Sequence, residues 1–125
     1  MPRKRVLIID DEVKWTALLK IGLERLGAYE VREEHRGANG LSAAQEFQPD
    51  LILLDVMMPD MDGGEVAAQI KSRAQFKDTP VVFLTSTVTK EEADAEHGMI
   101  GGHHFIAKPS SIKDILEYIE RKIGK

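Results

Sequence analysis

The sequence contains no cysteine. Disulfides, thiolate nucleophiles and cysteine-ligated zinc are thereby excluded. It also lacks any apolar run near the roughly 18 residues that a membrane span requires; its strongest apolar stretches are short pieces such as Leu51–Leu54 and Val81–Leu84. A secretory signal is missing as well, because Arg3-Lys4-Arg5 is followed by only four apolar residues before Asp10-Asp11-Glu12. No G-x-G-x-x-G motif offers a glycine cradle for phosphates. There is no basic block, and a formal charge of −4 with a pI near 5.6 argues against direct binding of nucleic acid. These absences lead us to expect a cytoplasmic protein without membrane contact.

What is present describes an ordinary folded chain. It has 125 residues, 42% of them hydrophobic and 30% charged, which suits one domain over residues 1–125. Val6-Leu7-Ile8-Ile9, Leu51-Ile52-Leu53-Leu54 and Val81-Val82-Phe83-Leu84 are continuous apolar runs, the pattern of strands covered on both faces. Tyr29–Glu33 alternates and suits an edge strand; His103–Ala107 reads as a weaker fifth strand at the other edge.

Helical patterns separate these strands. Trp15, Leu18, Leu19, Gly22, Leu23 and Leu26 share one face, with Gly27 as the stop. Leu41, Ala44 and Phe47 mark a shorter helix ended by Pro49. Asp62 with Glu65, and Thr89 with Glu92, resemble capping boxes that open two further helices, the second ending near Gly98. Ser110 or Ser111 caps a last helix carrying Ile112, Ile115, Leu116, Ile119 and Ile123. Five β-α repeats predict an α/β fold, a parallel sheet with helices on both faces.

In such sheets ligands bind beyond the carboxyl ends of the strands. Four strands here end in Asp10-Asp11, Asp55, Thr85 and Lys108, so these residues converge on one sheet edge. Three carboxylates against one lysine leave a local charge of −2. At an effective dielectric near 20, each like-charge pair costs about 2–4 kcal/mol. Hard oxygen donors without cysteine fit Mg²⁺ best.

The run Val6–Asp11 with Glu12, the segment Asp55-Val56-Met57-Met58-Pro59-Asp60-Met61-Asp62-Gly63, the pair Thr85-Ser86 and the pair Lys108-Pro109 together resemble the receiver domain of two-component response regulators. The resemblance extends from Arg5 to about Lys122. It implies a flavodoxin-like, doubly wound, five-stranded parallel sheet of order 2-1-3-4-5 with five helices. It further implies that Asp55 is the phosphoacceptor for a sensor histidine kinase or a histidine phosphotransfer protein. Mg²⁺ would be held by Asp11 directly, by Asp10 through water, by Asp55 and by the backbone carbonyl of Met57. Lys108 would pair with phosphoryl oxygens, Thr85 would turn its hydroxyl to them, and Phe105 would be the switch aromatic. The Lys108–Pro109 bond is expected to be cis.

By the same resemblance, the face formed by residues 89–98, 103–107 and 110–122 would meet a downstream protein partner or an output domain. The chain would be a monomer or a phosphorylation-dependent homodimer, and would catalyse only its own phosphorylation and dephosphorylation. It ends after the last helix, so we expect a stand-alone regulator or a piece cut from a longer one. Phe105 departs from the more frequent tyrosine and leaves packing as the switch contribution there. Met57 and Thr87 stand where the family tunes phosphoryl lifetime; neither positions water strongly, so we expect a long lifetime.

Two other readings compete. A haloacid-type phosphatase also uses an aspartate nucleophile, but needs a second aspartate at position 57, which is Met57. A flavodoxin-like phosphate-ligand domain needs Ser, Thr or Gly donors after the first strand, where Asp10-Asp11-Glu12 stands. His103 and His104 project to opposite strand faces and cannot readily chelate one ion; His35 is expected in a loop. Asp62 is expected to cap a helix and Trp15 to cover the sheet.

Overall fold

The computed structural model describes residues 3–86, 99–100, 103–108 and 111–123. In chain order these form β1 (Arg5–Ile9), α1 (Val13–Leu26), β2 (Glu30–Glu34), a 3₁₀ turn (Gly37–Asn39), α2 (Gly40–Phe47), β3 (Leu51–Asp55), α3 (Gly63–Lys71), a second 3₁₀ turn (Ala74–Phe76), β4 (Val81–Thr85), β5 (Met99–Ile100), β6 (His103–Ala107) and α4 (Ile112–Ile123). The sheet order is β2-β1-β3-β4-β6-β5. Its first five members pair in parallel, which is the expected 2-1-3-4-5 arrangement.

One expectation changes. β5 pairs antiparallel with β6 through Met99↔His104 and Ile100↔His103, so the sheet has a sixth strand and His103–Ala107 is not its edge. Four α-helices, not five, occur among the described residues. The helix expected from Thr89 to near Gly98, Thr87 and the Lys108–Pro109 bond lie outside the described residues.

The continuous apolar strands are buried on both faces because their side chains alternate into two cores. Val6, Ile8, Leu51, Leu53, Val82 and Leu84 face Leu19, Leu23, Ile115 and Ile119 of α1 and α4. Leu7, Ile9, Ile52, Leu54 and Phe83 face Ala43, Ala44, Val66 and Ile70 of α2 and α3. Each fully buried Leu or Ile contributes about 1.5–3 kcal/mol relative to exposure, and β3 is buried along its whole length.

Helical spacing overstated the width of one apolar face. In α1, Leu19, Gly22 and Leu23 are buried, whereas Leu18 and Leu26 are 61% and 69% exposed. The sheet and α4 cover only the stripe through Thr16, Leu19, Gly22 and Leu23. α2 is closed by Gln48, whose φ of 55° places it in the left-handed region just before Pro49. α3 opens on Asp62, whose Oδ1 accepts the Gly64 amide at 2.7 Å. Ser111 Oγ accepts the Asp114 amide at 3.1 Å at the start of α4.

Candidate functional site

Backbone ladders run past the strand ends and fix the site residues. The Asp10 amide donates to the Glu34 carbonyl at 3.0 Å, Val56 to Leu84 at 3.2 Å, and Lys108 to Thr85 at 2.9 Å. Asp10, Asp55, Thr85 and Lys108 are thus stitched to adjacent strands before any side chain acts. The loop after Asp55 folds back tightly, with the Gly63 amide on the Val56 carbonyl at 2.8 Å. A Cβ at Gly63 would stand 2.3 Å from the Asp55 carbonyl oxygen and 2.9 Å from Val56 Cα. Glycine is therefore required there by backbone approach.

Asp10, Asp11 and Asp55 each present a carboxylate oxygen within 4.8 Å of the others. Asp10 is fully buried and Asp55 is 7% exposed. Burial, reinforced by the negative charge of Asp10, pushes the Asp55 carboxyl up to about 7; Lys108 opposes this rise, and a hydrogen bond that the protonated carboxyl donates to Asp11 adds to it. The cleft holds more negative charge than its one lysine balances. A divalent cation would restore that balance, and the all-oxygen donor set with two nearly buried carboxylates fits Mg²⁺.

Lys108 Nζ donates to Asp10 Oδ2 at 2.7 Å and to Glu12 Oε1 at 2.6 Å, and lies 3.7 Å from Asp55 Oδ1. Burial alone would lower its pKa, but these hydrogen bonds and the charges of Asp10 and Asp55 prevail and raise it. Its ammonium also stands 4.8 Å from the centre of the Trp15 ring, within cation–π range. Trp15 packs on the α1–α4 core as its spacing predicts. The residue that sequence reasoning passed over is Glu12, visible only as the third acid of a run. Its contact to Lys108 depends on reach across 96 residues of chain.

Thr85 closes β4, 2% exposed. Phe105 is half-buried, its ring 5.4 Å from that of Phe83 at 31°. Both aromatics line a groove of about 780 Å³ with Val56, Ala67 and Lys71. Met57 carries a side chain 70% exposed, directed away from the cores. Asp60 accepts the amides of Gly37 at 3.1 Å and Ala38 at 2.9 Å, and the Ala38 amide above all holds its carboxyl below the usual range. Asp60 and Asp62 thus serve loop and helix structure.

A second polar cluster secures the acidic loop from the side. The buried Thr16 hydroxyl lies 2.6 Å from Glu33 Oε1 and 3.1 Å from His35 Nε2, linking α1 to the end of β2. His35 sits in the loop after β2, as expected. His104 Nδ1 meets the Tyr118 hydroxyl at 3.2 Å and Lys122 Nζ at 3.1 Å, cationic company that suits no metal. Burial, followed by the charge of Lys122, lowers the His104 pKa.

Known proteins resemble this chain over most of its length. A family model described as the response regulator receiver domain matches residues 6–120. The alkaline phosphatase synthesis transcriptional regulatory protein PhoP of Bacillus subtilis is 38% identical over 113 residues, 90% of this chain and 45% of that protein. The transcriptional regulatory protein ResD of the same organism is 37% identical over the same shares. The chain therefore spans about half the length of the curated relatives it matches. Among solved structures, the chemotaxis protein CheY4 of Vibrio cholerae superposes with a TM-score of 0.80 at 30% identity, covering 95% of this chain and 98% of that one. A CheY-like receiver domain from Methanospirillum hungatei gives 0.78 at 28% identity, over 96% and 93%.

Proposed function

The chain belongs to the response regulator receiver family and is a phosphorylation-controlled signalling module, and from that premise we propose that Asp55 is its phosphoacceptor. One observation carries the reading: three carboxylates lie within 4.8 Å of one another, and Asp55, whose carboxyl burial pushes up, has Lys108 at 3.7 Å.

The donor is a phosphohistidine on a sensor histidine kinase or histidine phosphotransfer protein. An Asp55 oxygen forms the new O–P bond while the P–N bond breaks, and the imidazole leaves with that electron pair and takes up a proton. Asp11, Asp55 and the Met57 carbonyl would hold Mg²⁺, with Asp10 assisting through water, and the ion would supply charge neutralisation at the phosphoryl oxygens. Lys108 pairs with those oxygens. Asp10 is hydrogen-bonded on both oxygens, by the Glu12 amide and by Lys108, which orients it toward the cleft. The product is an acyl phosphate, and its hydrolysis with help from the same residues resets the protein.

Thr85 turns its hydroxyl to the phosphoryl group, and Phe105 answers by repacking along Phe83. The readout is the face that includes residues 103–107 and 111–122, offered to a protein partner, an output domain or a second copy. We assign no direct nucleic-acid contact to residues 1–125, and place the module in the cytoplasm. The phosphatase reading fails at Met57, which exposes a thioether where a second acid is needed.

The test is incubation with acetyl phosphate and Mg²⁺ followed by intact mass measurement. One phosphoryl adduct is expected on the wild type, lost in Asp55→Asn and with chelator. An adduct of undiminished yield in Asp55→Asn would refute the assignment.

A further inference from the structure

Lys108 is held toward the wrong carboxylates for its assigned task. Its ammonium is 2.7 Å from Asp10 and 2.6 Å from Glu12, but 3.7 Å from Asp55. The Trp15 ring covers it at 4.8 Å. Asp10 is fully buried, and its other oxygen accepts the Glu12 amide at 2.9 Å, so this partner is fixed. Glu12 differs: its side chain is 60% exposed, while that of Lys108 is 10% exposed. It reaches from solvent into the cleft to meet a nearly buried cation. An ammonium has three donors; Asp10 and Glu12 take two, and a phosphoryl group on Asp55 would compete for the same set.

We propose that Glu12 is a resting-state anchor for Lys108. With the Trp15 ring as a backstop, the Glu12 carboxylate keeps the ammonium on the Asp10 side of the cleft while Asp55 is unmodified. Lys108 exchanges Glu12 for phosphoryl oxygens when Asp55 is modified. Glu12 is thus a positioning residue that acts through Lys108. This rests on the reading of Asp55 as acceptor and Lys108 as its counter-ion.

The direction of the effect follows from which state the contact stabilises. The Glu12–Lys108 pair exists before transfer and is given up during it, so it stabilises the ground state and slows the reaction. Ion pairs with one exposed partner correspond to about a two- to fivefold change in rate or population. Glu12 also contributes a plain negative charge near the cleft, which attracts Mg²⁺ whether or not Lys108 is present. A variant pair separates the two influences.

The experiment compares the wild type, Glu12→Gln, Lys108→Ala and the double variant. Asp55 phosphorylation by acetyl phosphate is timed at Mg²⁺ concentrations that saturate each protein. The emission of Trp15, the single tryptophan, is recorded on the resting proteins and on wild type treated with beryllofluoride, a phosphoryl analogue. Glu12→Gln is expected to react about two- to fivefold faster than wild type. That gain disappears in the Lys108→Ala background. The resting emission of Glu12→Gln shifts toward that of the beryllofluoride-treated wild type. An equal effect of Glu12→Gln in both backgrounds would reduce Glu12 to a distant charge and overturn the anchor. Unchanged rate or unchanged Trp15 emission in Glu12→Gln would overturn it as well. Wild-type rate and beryllofluoride response in Lys108→Ala would instead remove the reading of Lys108 on which the anchor stands.

Discussion

Replacing Asp55 by Asn should stabilise the metal-free protein, by an amount that grows from about pH 4 and is complete above neutral pH. The Asp55 carboxyl is pushed from 3.8 to about 7 by burial and by Asp10. The folded state therefore binds a proton that the unfolded state has already released between those values. Stability from this group is present at the acid end of that window and is lost as pH rises from about 4 through about 7. A shift of roughly 3 units corresponds to a ceiling of about 4 kcal/mol. Asp55 is hydrogen-bonded to Asp11, which is only partly buried and so subject to solvent screening, and about half of that, about 2 kcal/mol, is the expected cost at pH 8.5. Asn has the shape of the neutral carboxyl and carries no charge. For a domain of this size each kcal/mol moves Tm by about 4 °C. Thermal unfolding in chelator should place Asp55→Asn about 8 °C above wild type at pH 8.5 and only about 3 °C above it at pH 5. The effect of Asp60, whose carboxyl is lowered by the Ala38 amide, has the opposite sign but cancels between the two proteins. Equal Tm values at pH 8.5, or the same gap at pH 5, would refute the electrostatic account of the cleft.

Added Mg²⁺ should act in the reverse sense: at a hundred times its Kd it raises wild-type stability by about 2.7 kcal/mol at pH 8.5, a gain that chelator removes and that Asp55→Asn diminishes. A wild-type Tm insensitive to Mg²⁺ would contradict the cation site. Gly63→Ala would drive a Cβ to 2.3 Å from the Asp55 carbonyl oxygen; we expect a loss of at least about 2 kcal/mol in chemical denaturation together with weaker Mg²⁺ binding, because the displaced backbone carries the acceptor. Asp62→Ala removes the cap on the Gly64 amide and should cost about 1 kcal/mol while leaving the Asp55 adduct yield unchanged.

The parts of this structure that were legible beforehand share a physical cause. Strands buried on both faces must be apolar without alternation, so Val6–Ile9, Leu51–Leu54 and Val81–Leu84 announce themselves, and a polar residue at each end marks the sheet edge. Once those strands are parallel neighbours, Asp10, Asp55, Thr85 and Lys108 have to meet. The sixth strand was invisible because Met99–Ile100 is two residues long, too short for any period. Leu18 and Leu26 misled because helical spacing reports a face but not how much of it the sheet and α4 cover. The contacts of Glu12 to Lys108 and of Thr16 to Glu33 and His35 were illegible for a different reason. Each joins side chains from separate elements and depends on reach, which residue type and spacing do not specify.

The account stands or falls on where the phosphoryl group is carried. After reaction with acetyl phosphate and Mg²⁺, borohydride reduction converts an acyl phosphate to an alcohol, so peptide mass spectrometry reads an acceptor aspartate as homoserine. We predict a single converted residue, Asp55, with none in the chelated control. Conversion at Asp10 or Asp11, or a phosphoryl group recovered on His35, would contradict it.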